Sequence, residues 1–141
     1  MSEITRLRPE GLVHSPAFTH VAVVPPGATT IHVGGQNAVD AQGVIVGGDD
    51  VAAQTRRVME NLRTALAAAG AGVHDLVSVT ILILDTADLA AAYPAAAAGL
   101  EGAAPLVQVA RVAGLSVPGA LLEVSAVAAL VATPAGAADP G

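Results

Sequence analysis

Apolar and polar residues follow one another along this chain in a pattern that predicts six β-strands and two helices. The predicted strands lie at residues 19–24, 30–33, 44–46, 75–84, 106–112 and 121–131. Turn residues Pro25, Pro26 and Gly27 separate the first two strands, so the pattern predicts a hairpin there. The run at 75–84 is rich in β-branched residues and favours a strand buried on both faces.

The first helix is predicted to follow Asp50, a good N-cap residue, and to end at Gly70. Between them, apolar residues recur at helical spacing, at Val51, Val58, Leu62, Ala65, Leu66 and Ala69. The second helix is predicted at residues 90–100. It contains Pro94, which a helix tolerates only near its first turn.

This order of elements predicts an α+β domain over residues 1–131, in which one mixed sheet carries both helices on one face. The other face of the sheet then needs a cover, which other subunits could supply. Residues 132–141 are rich in Pro, Gly and Ala, and we predict a disordered C-terminal tail there.

Composition adds to this prediction. Hydrophobic residues make up 53% of the chain and aromatic residues 1%, so the core must consist of small side chains, and we expect tight packing. The apolar content also exceeds what one small domain easily buries, which favours an oligomer. The net charge is −6 and no basic patch is present, which argues against binding of nucleic acid.

The sequence contains no cysteine, which excludes disulfides, zinc–thiolate sites and a cysteine nucleophile and is compatible with a cytoplasmic protein. Residues 1–10 are charged and lack a signal-peptide core. No uninterrupted apolar run reaches the 18 residues or so that a membrane-spanning helix needs, so we expect no membrane insertion.

A motif at Gly34, Gly35 and Gln36 directly follows a predicted strand, and by itself indicates a β-bulge or tight turn. Further residues follow it at specific spacing, namely Asp40, Gly43, Gln54, Asn61, Leu66, Ala69, Gly70, Asp85 and Asp88. With this ordered set the chain resembles the RidA/YjgF family, the reactive intermediate deaminases, over residues 12–131.

The resemblance implies a chorismate-mutase-like fold and a homotrimer whose sheets form an inner barrel, with pockets at the three subunit interfaces. In the family, these pockets hydrolyse enamines and imines, such as 2-iminobutanoate and 2-iminopropanoate, to 2-keto acids and ammonia. No metal and no organic cofactor is implied.

That chemistry needs a guanidinium to bind the substrate carboxylate and a carboxylate to position the attacking water. The resemblance places the arginine at Ala104, by alignment of residues 107–111, and the glutamate at Ser125, by alignment of residues 122–126. Each lost charged hydrogen bond costs about 1.5–3 kcal/mol of binding. We therefore predict a member that has diverged at the catalytic positions and has weak or no imine deaminase activity.

Other pocket positions also differ from the family pattern. Gly34 stands where a serine is common, Tyr93 where an asparagine is common, and Phe18 near a usual tyrosine. Together with Gly35, Gln36, Ala104, Glu123 and Ser125, these are the candidate pocket residues. Glu123 is the only acid in the last strand, and strand alternation puts it on the same face as Ser125.

The remaining candidates for chemistry carry weaker signals. Arg111 follows Ala104 by seven residues and is typical of a non-catalytic arginine of the family, although a gap in the alignment could bring a different residue into the pocket. The four histidines lack helical metal-binding spacing. Two of them, His20 and His32, lie on adjacent predicted strands and could be cross-strand neighbours. Ser125 has no histidine near it in sequence to act as a base.

Three functions therefore stay open. The protein is a trimer that binds a small neutral or apolar ligand, or it is a retained imine deaminase, or it is a structural or assembly component. The third rests on the segment that begins at Leu89 and ends at Leu100, which has no charge between Asp88 and Glu101 and could contact a further protein.

Overall fold

The computed structural model describes residues 3–132, which form a four-stranded mixed sheet, two helices and a separate two-stranded ribbon. The predicted α+β class, with six strands and two helices, is confirmed. In chain order the elements are β1 (Thr5–Leu7), β2 (Val21–Val23), β3 (Thr29–Gln36), α1 (Val51–Ala68), a 3₁₀ turn (Val73–Asp75), β4 (Leu76–Leu84), α2 (Leu89–Gly99), β5 (Leu106–Val112) and β6 (Leu122–Leu130). The tail predicted at 132–141 lies outside the described residues, except for its first residue.

The larger sheet has the strand order β3-β6-β4-β5. The strand β6 pairs antiparallel with both β3 and β4, and β4 pairs parallel with β5 through the crossover helix α2. Buried residues of β4 and β6, among them Val79, Ile83, Leu122 and Val124, pack toward the helices in one core. The alternate residues, such as Ser78, Thr80 and Ser125, are only half-buried on the other face, on which no described helix packs. The N-terminal segment borders part of this face, because Val13 and His20 line a depression with Ser78 and Thr80. Within one chain, β4 is thus buried on one face and not on both.

The predicted hairpin between the first two strands is wrong. The strand β2 pairs with the unpredicted β1, with Leu7 opposite Val21, whereas β3 pairs with the C-terminal β6. His20 and His32 are therefore not cross-strand neighbours. The predicted strand at 44–46 is reduced to a single bridge between Val39 and Ile45. The turn residues between β2 and β3 therefore do not identify either strand's partner, since β3 pairs with a strand near the other end of the described chain.

The helix α1 follows its predicted signals. Asp50 Oδ1 accepts hydrogen bonds from the backbone N–H groups of Ala52 and Ala53 at 3.0 and 3.2 Å. At the other end, Gly70 has a φ of +76°, a backbone conformation that glycine adopts without strain. The apolar face of α1, with Leu62 and Leu66 fully buried, packs on the sheet.

Motif residues on and near α1 hold distant loops together. Gln54 is fully buried: its Nε2 donates to the carbonyls of Gly48 and Gly119 at 2.7 and 2.9 Å, and its Oε1 accepts from Leu121 N at 2.9 Å. Asn61 Nδ2 donates to the backbone carbonyls of Asn37 and Val39 at 2.9 Å each. These two side chains therefore stabilise the fold, because each forms hydrogen bonds with backbone groups that have no strand partner.

The helix α2 is built mainly from alanine. Asp88 caps it in the same way as Asp50 caps α1, through Ala90 N and Ala91 N at 3.0 and 3.3 Å. Pro94 lies in the second turn rather than the first, on the exposed side of the helix. Near its end, Gly99 packs against Met59 of α1, and Arg63 Nη1 donates to Gly99 O at 3.1 Å.

Candidate functional site

The open face of the sheet carries a shallow depression of about 230 Å³, and Gly34 and Ser125 lie in its lining. Ser125 of β6 stands opposite Thr80 of β4 in register. The complete lining is His32, Val33, Gly34, Ser78, Thr80, Ser125, Ala126 and Val127. Hydroxyls and one imidazole are its polar side-chain groups, so it can hydrogen-bond a neutral molecule but presents no guanidinium.

The motif at Gly34, Gly35 and Gln36 forms the predicted bulge, because the pairing of β3 with β6 shifts register between Val33 and Gln36. Neither glycine has a positive φ, so neither is needed for backbone conformation. Gly35 is needed for space: a Cβ there would lie 2.7 Å from Cδ of Glu123. Gln36 Nε2 donates back to Gly34 O at 3.2 Å and closes the bulge.

The carboxylate of Glu123 thus lies beside Gly35, on the same face of β6 as Ser125. Among the described residues of the four-stranded sheet, it is the one acidic side chain. Glu123 lies two residues before Ser125 along β6 and pairs in register with Leu82 of the neighbouring strand β4. It is therefore next to the hydroxyl-lined depression and not part of its lining.

Ala104 lies away from the depression. It precedes β5, which is the edge strand opposite β3, so two strands separate it from Gly34. Its carbonyl accepts a hydrogen bond from Thr19 Oγ1 at 2.9 Å, and Thr19 is buried. This contact ties the loop before β5 to the N-terminal segment.

Phe18 and Tyr93 line a cavity of about 360 Å³ beneath α2, on the covered side of the sheet. Phe18 also borders a second depression, of about 470 Å³, together with Ser78 and Thr80. Arg8 holds the loop that carries Phe18: its Nε donates to the carbonyls of Ser15 and Phe18 at 3.0 and 3.2 Å. The ring of Phe18 also makes an edge contact with the ring of His20, with a centroid distance of 5.4 Å.

The candidate residues therefore do not form one site within a single chain. Gly34, Gly35, Gln36, Glu123 and Ser125 lie together along β3 and β6, whereas the two aromatic residues and Ala104 lie elsewhere. The sequence analysis missed Ser78 and Thr80 as lining residues. Their signal was a pair of hydroxyl residues two positions apart inside an otherwise apolar strand, which points both side chains to the same face.

Comparison with known proteins assigns this arrangement to a family. The family model described as Endoribonuclease L-PSP matches residues 13–130. The crystal structure of YyfB, a protein of unknown function of the conserved Rid protein family from Yersinia pestis, is 34% identical in sequence. It superposes with a TM-score of 0.83 over 92% of this chain and 100% of its own. This chain belongs to the RidA/YjgF family.

Other members of the RidA/YjgF family align less completely. YjgF from E. coli is 31% identical, with a TM-score of 0.62 over 74% of this chain and 83% of its own. A RutC family protein from Pyrococcus abyssi is 44% identical over 61 residues, which are 43% of this chain and 47% of the relative. The match to this curated relative thus spans about half of the relative's length.

Arg111 does not supply a cationic group to the open face of the sheet. It is an exposed residue of β5, in the same alternation as Val107 and Val109, which line the cavity on the covered side. Three other arginines donate to backbone carbonyls, namely Arg6, Arg8 and Arg63. Among residues 3–132, no group of three or more histidine or acidic side chains could hold a metal ion.

The alanine-rich composition gives a looser interior than predicted. Instead of uniformly tight packing, a cavity remains between α2 and the sheet, because the alanines of α2 are too small to fill the space up to the strands.

In the part of the chain that the structure describes, no helix is long and apolar enough to cross a membrane.

Proposed function

We propose that this RidA/YjgF-family protein is a homotrimer that binds small uncharged molecules at pockets between its subunits and has weak or no imine deaminase activity. The observation that carries the proposal is the lining of the open-face depression. It offers the hydroxyls of Ser78, Thr80 and Ser125, and no arginine.

The lining decides which ligands are favoured. A 2-imino acid brings a carboxylate, and burying it without a charged partner is costly. Hydroxyl groups can donate to and accept from a neutral carbonyl or amide without that cost. Neutral ligands are therefore favoured over anionic imino acids at this depression.

A trimer supplies the missing wall of the pocket. The open face of the sheet bears half-buried residues such as Leu82 and Val127, and a neighbouring copy would cover them. Tyr93 lies on the other side of the sheet, so in this arrangement it reaches such a pocket only from a neighbouring subunit. Light scattering should give a mass of three times the 13.8 kDa of the chain. A monomer in solution would count against the pocket.

The activity is tested by release of 2-keto acid from imines that an amino acid oxidase generates in the assay. We expect the wild-type rate to equal the rate in buffer. In the proposed trimer, Ala104 of a neighbouring subunit faces the depression that carries Ser125. The double variant Ala104→Arg/Ser125→Glu should then raise the rate at least about tenfold, since it supplies a carboxylate partner and a water-positioning group.

The matched control carries the same charges, with the arginine on the exposed side of α2, as Ala98→Arg/Ser125→Glu. It should remain at the buffer rate. A wild-type rate well above buffer would instead establish the runner-up function, a retained 2-iminobutanoate/2-iminopropanoate deaminase.

A second candidate function, a role in protein assembly, is favoured by the surface of α2. Tyr93 is 57% exposed, and Pro94, Ala97 and Ala98 next to it are exposed as well. If this surface binds further protein, the mass in solution exceeds that of a trimer, and Tyr93→Glu reduces it. Val44→Glu, at another exposed apolar residue, is the matched control. A mass that stays at the trimer value argues against assembly.

A further inference from the structure

An apolar cavity of about 360 Å³ lies between α2 and the sheet. Its inner wall consists of fully buried residues of the strands and of α1, among them Val79, Ile83, Leu122 and Met59. Its outer wall is α2, through Ala92, Ala96 and Ala97. The exposed lining residues Tyr93, Ala97 and Val109 mark the mouth, between α2 and the edge strand β5.

The cavity follows from the small side chains of α2 and from the way this helix is fixed at both ends. At the start, Asp88 caps the helix and Ala87 N donates to Leu84 O of β4 at 3.0 Å. At the end, the contact of Gly99 with Met59 holds α2 against α1. Both ends of α2 are thus attached to other elements, and the alanines between them leave the space beneath the helix unfilled. Packing of a helix normally fills such a space with larger side chains.

The lining also determines which kinds of molecule the cavity can bind. Thr55 and Tyr93 are the lining residues with a side-chain hydroxyl, and Thr55 Oγ1 already donates to Val51 O at 2.7 Å. A charged or multiply polar ligand would therefore lose its hydration with no partner inside. A single polar group could be met at the mouth by Tyr93.

We propose that this cavity is a binding site, within one subunit, for a small uncharged aromatic or branched aliphatic molecule. Ligand pockets commonly have volumes of about 300–1,000 Å³, and even an engineered apolar cavity of about 150 Å³ binds benzene. The site lies on the opposite side of the sheet from Ser125. It does not depend on a trimer or on deaminase activity.

Calorimetric titration of the full chain with toluene and with indole tests the proposal. Both should bind saturably, with one site per subunit. Benzoate and benzylammonium have nearly the same size and shape as toluene but carry a charge, and their binding should be at least about tenfold weaker. If the charged analogues bind as tightly as toluene, or if neither neutral probe saturates below its solubility limit, the proposal is overturned.

Two matched substitutions on α2 locate the binding. Ala96→Leu places a larger side chain in the cavity, and we expect it to weaken toluene binding at least about tenfold. Ala98→Leu makes the same change at an exposed position outside the lining, and should leave the affinity within about twofold. Ala97→Leu at the mouth serves as a second filling variant if Ala96→Leu does not fold. Equal effects of a filling variant and Ala98→Leu would place the probe elsewhere and overturn the assignment.

Discussion

The two helices pack side by side on the same face of the sheet, but different kinds of contact hold them there. On α1, the side chains of Gln54, Asn61 and Arg63 hydrogen-bond to backbone groups of other elements, and large leucines fill the core beneath. On α2, the sheet-facing residues are mostly alanines, and the helix is fixed by its cap and by the close approach of Gly99. Polar side chains of α1 therefore connect distant parts of the fold, whereas α2 borders the space in which a ligand can bind.

The strongest test of this contrast is Gln54→Ala, which should lower the free energy of unfolding by about 2–4 kcal/mol. The substitution leaves the N–H of Leu121 and the carbonyls of Gly48 and Gly119 without their side-chain partner in a partly buried site. Urea denaturation at one fixed protein concentration measures the loss. Arg56→Ala, at an exposed position of the same helix, should change stability by less than about 0.5 kcal/mol. A loss below about 1 kcal/mol for Gln54→Ala would mean that polar contacts do not determine how α1 is held.

A second test concerns the contact between the helices. A Cβ at Gly99 would lie 2.6 Å from Cβ and 2.7 Å from Cγ of Met59. Those atoms adjoin the backbone of α1 and cannot move aside, so overpacking should cost about 1–3 kcal/mol. Alanine's higher helix propensity offsets about 1 kcal/mol of this cost, so we expect Gly99→Ala to destabilise the protein by about 0–2 kcal/mol.

The control for Gly99→Ala is Gly72→Ala, where no atom lies within 4 Å of the added Cβ and the φ is −137°. It should not destabilise the protein in the same denaturation experiment. A stabilising Gly99→Ala would show that α2 can shift away from α1, and the cavity beneath it would then not have a fixed outer wall.

Local features of the chain could be predicted because the sequence that determines them is contiguous. Asp50, Gly70 and the apolar spacing between them gave α1 nearly to the residue. The pairing of β2 could not be predicted in this way. Its partner β1 is only three residues long and lies about fourteen residues upstream, with no alternation of its own to mark it.

The candidate site was predictable only in part, for a related reason. Alternation correctly put Glu123 and Ser125 on one face of β6, since the strand has a period of two. The separation of Tyr93 from that face depends on how the helices are arranged around the sheet. The cavity is harder still to predict, because its volume is what remains after side chains from several elements have packed together.

A third test removes the caps. Asp50→Ala and Asp88→Ala delete the same pair of hydrogen bonds at two helix starts, and each should cost about 1 kcal/mol. Because other side chains hold α1, its amides should keep most of their protection in hydrogen exchange. We expect Asp88→Ala to speed exchange severalfold in residues 92–99, and Asp50→Ala to affect only the first turn of α1. Equal and local fraying of both helices would remove the proposed difference between them.

The smallest expected loss of stability comes from Gly35→Ala. It tests whether a flexible neighbouring side chain makes an added Cβ less costly than at Gly99. The added Cβ would approach Glu123 Cδ to 2.7 Å, about as closely as at Gly99. Here, however, the neighbour is the end of a flexible side chain, which can rotate away at little cost. We expect a loss below about 1 kcal/mol, and none in the Glu123→Ala background, so a double-mutant cycle should assign the loss to this pair. Gly34→Ala, with nothing within 4 Å, is the control. If Gly35→Ala costs as much as Gly99→Ala, the carboxylate is rigidly held, and Glu123 is then part of a fixed polar site rather than a mobile side chain at its edge.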